Sequence, residues 1–265
     1  MLRTRLATAA LTLPALWIIV RYVPAWFFAG FAVAVAGAGL HEYFGMALPD
    51  RPRERAFGIG AGIAVAAAVV SGRPELWGAA LALTVVAGLA VALIGNADLH
   101  GAVQRLGLSV LGVIYVGFFT AHVALLHGRG SGWRWVLFTI FTAMASDTGG
   151  YFTGRFWGRR KLAPAISPGK TVEGAVGAVA GAVLLASLAR LVFFPQIGPR
   201  EALGLGVAIS LLAQLGDLCE SALKRAFGAK DSGWIIPGHG GILDRLDSLV
   251  FPVVFAYYYA AIPRV

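Results

Sequence analysis

Nine apolar stretches set the terms for this chain, near residues 5–20, 24–46, 57–71, 76–95, 104–126, 133–153, 172–195, 202–224 and 243–263. Most reach about 20 residues, which as a helix crosses about 30 Å of hydrocarbon. The expected fold is therefore all-α: a polytopic integral membrane protein of about nine transmembrane helices. Composition agrees, because 58% of the 265 residues are apolar and 13% charged, against about 45–50% and about 25% in soluble domains. That excludes a soluble globular domain and a disordered chain. The 35 glycines suit helices packed closely in lipid. Cys219 is the one cysteine, so neither an intramolecular disulfide nor a multi-cysteine metal cage can form. No internal repeat is evident, which weakens an inverted-repeat transporter. The chain reads as a single membrane domain, 1–265. Residues 1–130 supply packing, dimer-facing or lipid-facing helices, and residues 131–265 carry the polar site. The first stretch is expected to be a retained helix rather than a cleaved signal.

The net charge is +9. In a soluble protein that excess points to nucleic acid, but here it reads as topology and anionic headgroups, with no nucleic-acid partner. With nine spans, the N-terminus and the loops after spans 2, 4, 6 and 8 share a side holding 15 of the 22 Lys and Arg residues. That side is expected to be cytoplasmic, in the cell (inner) membrane. It includes the two long connections, 154–171 and 225–242.

Acidic residues are scarce, so their positions are informative. Asp147, Asp217 and Glu220 interrupt apolar runs, and Asp244 and Asp247 open the ninth. A carboxylate inside a spanning helix is costly unless hydrated, paired or metal-bound. Asp217, Glu220 and Ser221 stand at i, i+3, i+4 on one helical face, which Lys224 continues. Asp244 and Asp247 repeat the i, i+3 spacing. Two helices joined by the 225–242 loop can thus point carboxylates at each other. Hard oxygen donors of this kind suit Mg²⁺ or Mn²⁺ rather than zinc, and such ions hold phosphate oxygens.

Two loops add candidates. His239 lies in Pro237-Gly238-His239-Gly240-Gly241, where glycines allow close approach to a ligand; ligand contact and loop organisation are both open for it. His41, His100, His122 and His127 read as interfacial. In Ser167-Pro168-Gly169-Lys170-Thr171-Val172-Glu173-Gly174, Ser-Pro is expected to cap the next helix. Lys170 would then sit in a first turn, disfavoured by the helix dipole unless an anion binds there. The spacing is not that of a Walker phosphate loop.

Residues 221–247, SALKRAFGAKDSGWIIPGHGGILDRLD, resemble the signature of the phosphatidate cytidylyltransferases (CDP-diacylglycerol synthases). Ser221, Lys224, Arg225, Lys230, Asp231, His239, Gly240, Gly241, Asp244, Arg245 and Asp247 match it in register. Ser146-Asp147-Thr148-Gly149-Gly150-Tyr151, the 167–174 segment and Gln214–Ser221 also resemble the family, whereas the first 140 residues match only in hydropathy. Gly169 stands where relatives also carry Lys. The resemblance implies transfer of a cytidylyl group from CTP to phosphatidate, giving CDP-diacylglycerol and pyrophosphate in phospholipid biosynthesis. It implies Asp217 and Asp244 as principal Mg²⁺ ligands, with Asp247 and Glu220 next and a second cation allowed. Lys170 and Arg225 become the expected phosphate-neutralising groups, followed by Lys224 and Lys230. Ser146, Asp147 and Ser167 would line the same cavity, and His239 would touch phosphate or hold the loop. A homodimer is implied by resemblance alone. The alternatives are cytidylyl transfer to another lipid phosphate and, in a different class, a cation-coupled secondary transporter.

Overall fold

The computed structural model describes residues 14, 16–94, 98–233 and 240–262. Residues 16–22 are helical (α1), and most of the first apolar stretch, including the question of its retention, lies outside the described residues. There follow α2 (Ala25–Ala47), α3 (Pro52–Val70), α4 (Pro74–Leu93) and α5 (Leu99–Gly112). A π-helical turn, Val113–Phe118, joins α5 to α6 (Phe119–His127), and α7 (Gly132–Trp157) comes next. A two-stranded antiparallel hairpin, β1 (Lys161–Ala163) and β2 (Ser167–Thr171), leads into α8 (Val172–Val192). The chain ends with α9 (Pro199–Ala226), the short α10 (Leu243–Leu246) and α11 (Val250–Ala261).

Among the described residues, five helical segments are long and apolar enough to cross a membrane: Ala25–Ala47, Pro74–Ala92, Leu99–His127, Val172–Val192 and Pro199–Ala226. Their outer faces carry exposed Leu83, Val86, Val176, Leu184 and Leu211, as lipid-facing surfaces would. Of the nine expected spans, α3 and α7 have the length but carry more polar residues. The ninth, 243–263, is divided into α10 and α11. Pro252 has no N–H to direct at the Ser248 carbonyl, and at the same break the Ser248 N–H donates to the Asp247 side chain, Oδ1, at 2.6 Å.

The described fold is all-α apart from this short hairpin, which corrects the placing of the next helix. Ser167-Pro168 do not open α8. A residue before proline favours extended backbone, and Thr171 takes the cap, its Oγ1 accepting the Gly174 N–H at 3.1 Å. Glu173 accepts the Arg159 and Arg160 amides, and the Val172 amide donates to the Arg160 carbonyl at 2.9 Å. These bonds draw the loop's two ends together, so the strands pair. Lys170 consequently sits on β2, not in a helical turn.

The packing has two ends. At one, Glu54 of α3 pairs with Arg105 of α5 at 3.0 Å, Glu42 of α2 meets Ser232, Ile242 and Leu243, and Lys170 meets α9. At the other, His127 of α6 contacts the Val20 carbonyl at 2.9 Å, the Arg21 guanidinium lies 4.5 Å from the Trp133 ring, and Tyr259 donates to Glu201. Two apolar clusters hold the bundle. One joins α2, α3 and the π turn to Leu243 and Val250, and the other joins α1, α7, α8, α9 and α11. His122, expected at an interface, is fully buried among Trp77, Phe118 and Tyr257, with Nδ1 2.8 Å from the Phe118 carbonyl.

Candidate active site

Helices α7 and α8 touch backbone to backbone. A Cβ on Gly149 would come 2.5 Å from the Gly177 carbonyl oxygen, and one on Gly181 2.6 Å from that of Ala145. Small residues at these crossings permit the approach. Beside this seam, α7, the hairpin, the start of α8 and the middle of α9 enclose a cavity of about 460 Å³, within the usual range for small-molecule sites. Its polar lining comes from Ser146, Asp147 and Arg155 of α7, Ser167 and Lys170 of β2, and Gln214 and Asp217 of α9. Ser146 is buried and its Oγ is 2.7 Å from Ser210 Oγ, tying α7 to α9. Lys170 Nζ pairs with Asp217 Oδ2 at 2.7 Å, and Ser221 Oγ donates to Asp217 Oδ1 at 3.3 Å. Ser146, Asp147, Ser167, Lys170 and Asp217, expected together from sequence, therefore share one cavity.

A second charged cluster lies deeper, along the same face of α9. Lys224 Nζ forms an ion pair with Glu220 Oε2 at 2.7 Å and donates to Asp244 Oδ1 at 2.6 Å. Glu220 is fully buried, and its Oε1 meets no hydrogen-bond donor among the described residues. Asp244 is also bound by the Ser232 amide at 3.1 Å and the Gly241 amide at 2.9 Å, both on Oδ2. Gly240, at φ +80°, adopts the left-handed conformation that suits glycine, and a Cβ there would meet Asp244 Oδ2. The i, i+3, i+4 face of α9 is therefore present; Asp217 lines the open cavity, and Asp244 is not among its lining residues. Asp217 opens onto the cavity with Lys170, while Asp244 is held by Lys224 and loop amides. Helical spacing fixed the face each acid occupies, not what that face meets.

Asp247 lies within electrostatic reach of Asp217, Glu220 and Asp147, and its carbonyl packs against Gly216 of α9. Lys230 is exposed, and Arg225 is exposed with Nη1 bonded to the Ala229 carbonyl at 3.3 Å. Neither lines the cavity. His239 lies outside the described residues.

Sequence reasoning missed three residues. Arg155 lines the cavity, with Nη1 bonded to Tyr151 Oη at 2.9 Å. Gln214 lines it three residues before Asp217, a signal available in the helical spacing. Glu42, on α2, is buried and accepts three bonds from the segment carrying Asp244.

No group of three or more His, Cys, Asp or Glu able to hold a metal ion is assembled among the described residues. The donor chemistry nevertheless fits a hard cation. Asp147, Asp217, Glu220 and Asp247 crowd one region, with a buried carboxylate oxygen left unbonded. Two ammonium groups occupy positions against these acids.

Comparison with known proteins places the chain. The sequence profile of the cytidylyltransferase family matches residues 3–262. A phosphatidate cytidylyltransferase of Bacillus subtilis (strain 168) is 41% identical over 160 residues, 60% of this chain and 60% of that protein. One of Brucella suis biovar 1 is 43% identical over 161 residues, 59% and 58% of the two chains. One of Staphylococcus epidermidis is 41% identical over 142 residues, 54% of each. The matched stretch thus spans about three fifths of these relatives' length.

Proposed function

Since the chain belongs to the cytidylyltransferase family, we propose that it is a CTP:phosphatidate cytidylyltransferase. A phosphate oxygen of phosphatidate attacks the α-phosphorus of CTP. The new P–O bond gives CDP-diacylglycerol, the α–β bridging bond breaks, and pyrophosphate leaves. The observation that carries this reading is the cavity in which Lys170 and Asp217 form an ion pair at 2.7 Å beside Asp147, Ser146 and Arg155. It offers cations for phosphate oxygens and acids for a cation in one volume.

Chemistry of this kind depends mostly on positioning and charge neutralisation. Lys170 and Arg155 neutralise phosphate oxygens in the cavity. Ser167 and Ser146 offer hydroxyl donors, and Gln214 an amide. Arg225, Lys224 and Lys230 add cationic charge on the same segment. No general base is required, because a phosphate monoester with a second pKa of about 6 is already largely ionised near neutrality. Mg²⁺, when bound, supplies charge neutralisation on the triphosphate. Asp217 would hold it, with Asp247 and Asp147 in range and Glu220 behind. Asp244, held by Lys224 and the loop amides, would be the further carboxylate of the set.

The chain spans the cell membrane about nine times, with the hairpin and the 225–242 segment in the cytoplasm. The charge count supports this, as does the gathering of residues 42, 54, 105, 170 and 232 at one end of the bundle. The homodimer rests on resemblance, and cross-linking in membranes tests it. Family membership sets the transporter reading aside.

Purified protein given CTP, Mg²⁺ and phosphatidate should release pyrophosphate and CDP-diacylglycerol in equal amounts. Turnover with an isoprenoid phosphate instead would change the acceptor. No pyrophosphate from either would overturn the reading.

A further inference from the structure

We infer that Glu42, on a helix of the N-terminal half, is a positioning residue that holds the Asp244 loop in its working geometry. The inference rests on the activity proposed above. Glu42 lies near the end of α2 and is only 5% exposed. A carboxylate there is unfavourable unless fully bonded, and among the described residues its side-chain bonds go to one distant segment. Oε1 accepts the Ile242 N–H at 3.0 Å. Oε2 accepts the Leu243 N–H at 2.9 Å and the Ser232 hydroxyl at 3.0 Å.

These partners lead directly to the charged cluster. Ser232 Oγ accepts the Asp244 N–H at 3.3 Å, and the Ser232 N–H donates to Asp244 Oδ2 at 3.1 Å. Asp244 in turn holds Lys224. A continuous set of bonds thus runs from α2 through Ser232 to Asp244 and Lys224. The backbone crowds in to meet it. A Cβ on either Gly233 or Gly241 would collide with the Glu42 carboxylate. The same junction is sealed by Leu243, fully buried in the cluster that holds Leu40, Tyr43 and Phe44. The loop is therefore fixed from outside the C-terminal half, by a carboxylate two hundred residues upstream of the amides it binds.

The test is Glu42→Gln. Its amide keeps one acceptor and turns an NH₂ toward a donor, so at least one loop bond is lost. The kcat should fall about tenfold or more and the CTP KM rise about fivefold, with the phosphatidate KM within about twofold. Amide exchange at Ile242 and Leu243 should quicken about tenfold while exchange in α8 is unchanged. Ser232→Ala cuts the same path from the loop side without touching the acid, and should shift the same parameters in the same direction by about two- to fivefold. Glu54→Gln, at a half-buried acid of the same half that pairs with Arg105, should leave kcat and both KM values unchanged. Wild-type kcat and CTP KM in both Glu42→Gln and Ser232→Ala would overturn the inference. So would a loss of active protein with both KM values unmoved and loop exchange unaltered. Absence of product from the wild type would instead overturn the proposed activity, and the exchange readout would still judge Glu42.

Discussion

Two lysines on this structure each hold carboxylates, and their surroundings differ. Lys170 meets Asp217 at the wall of an open cavity, with side chains 23% and 32% exposed. Lys224 is sandwiched between Glu220 and Asp244, which are 0% and 11% exposed. The first pair is half-buried and borders the cavity, so an arriving ligand can take the place of either partner. The second is embedded, and removing one member leaves charge stranded in a poor solvent. Similar chemistry thus serves ligand exchange in one place and loop support in the other.

The sharpest challenge to that contrast is Lys224→Met. It leaves Glu220 and Asp244 without their shared ammonium and should cost about 3–5 kcal/mol in unfolding free energy, measured by thermal unfolding in detergent. Equal stability of Lys224→Met and wild type would erase the distinction. Asp217→Asn should act in the opposite way, lowering CDP-diacylglycerol formation about a thousandfold with unfolding displaced by less than about 1 kcal/mol. Lys170→Ala should raise the CTP requirement about ten- to a hundredfold and the phosphatidate requirement much less. A larger effect on the lipid would assign Lys170 to the lipid phosphate. Gly240→Ala forces a left-handed backbone on alanine beside Asp244 and should cost about 1–2 kcal/mol, visible as a lower unfolding temperature with the CTP KM rising alongside.

Much of this was legible beforehand. The acids of α9 announced themselves because a helix repeats every 3.6 residues, and the Glu220–Lys224 pair at i, i+4 follows from the same geometry. The bundle was legible from its apolar runs. The hairpin was not, because eleven residues with two Pro and one Gly carry no periodicity. The pairing expected between Asp217 and Asp244 assumed that two acidic faces meet. The structure gives each its own lysine instead, and no spacing rule encodes which helix faces which. Glu42 left no local trace, since it stands in an apolar helix and its partners among the described residues are far away in sequence.

The glycine seam between α7 and α8 has a mechanical consequence. Where Gly149 meets Gly177 and Gly181 meets Ala145, no side chain lies between the two backbones to bend or slide. The two helices therefore behave as a single rigid plate carrying Ser146 and Asp147. Any widening of the adjacent hollow must be made by the parts that lean on the plate, the hairpin or α9, and a single methyl group inserted along the joint would pry the laminate apart.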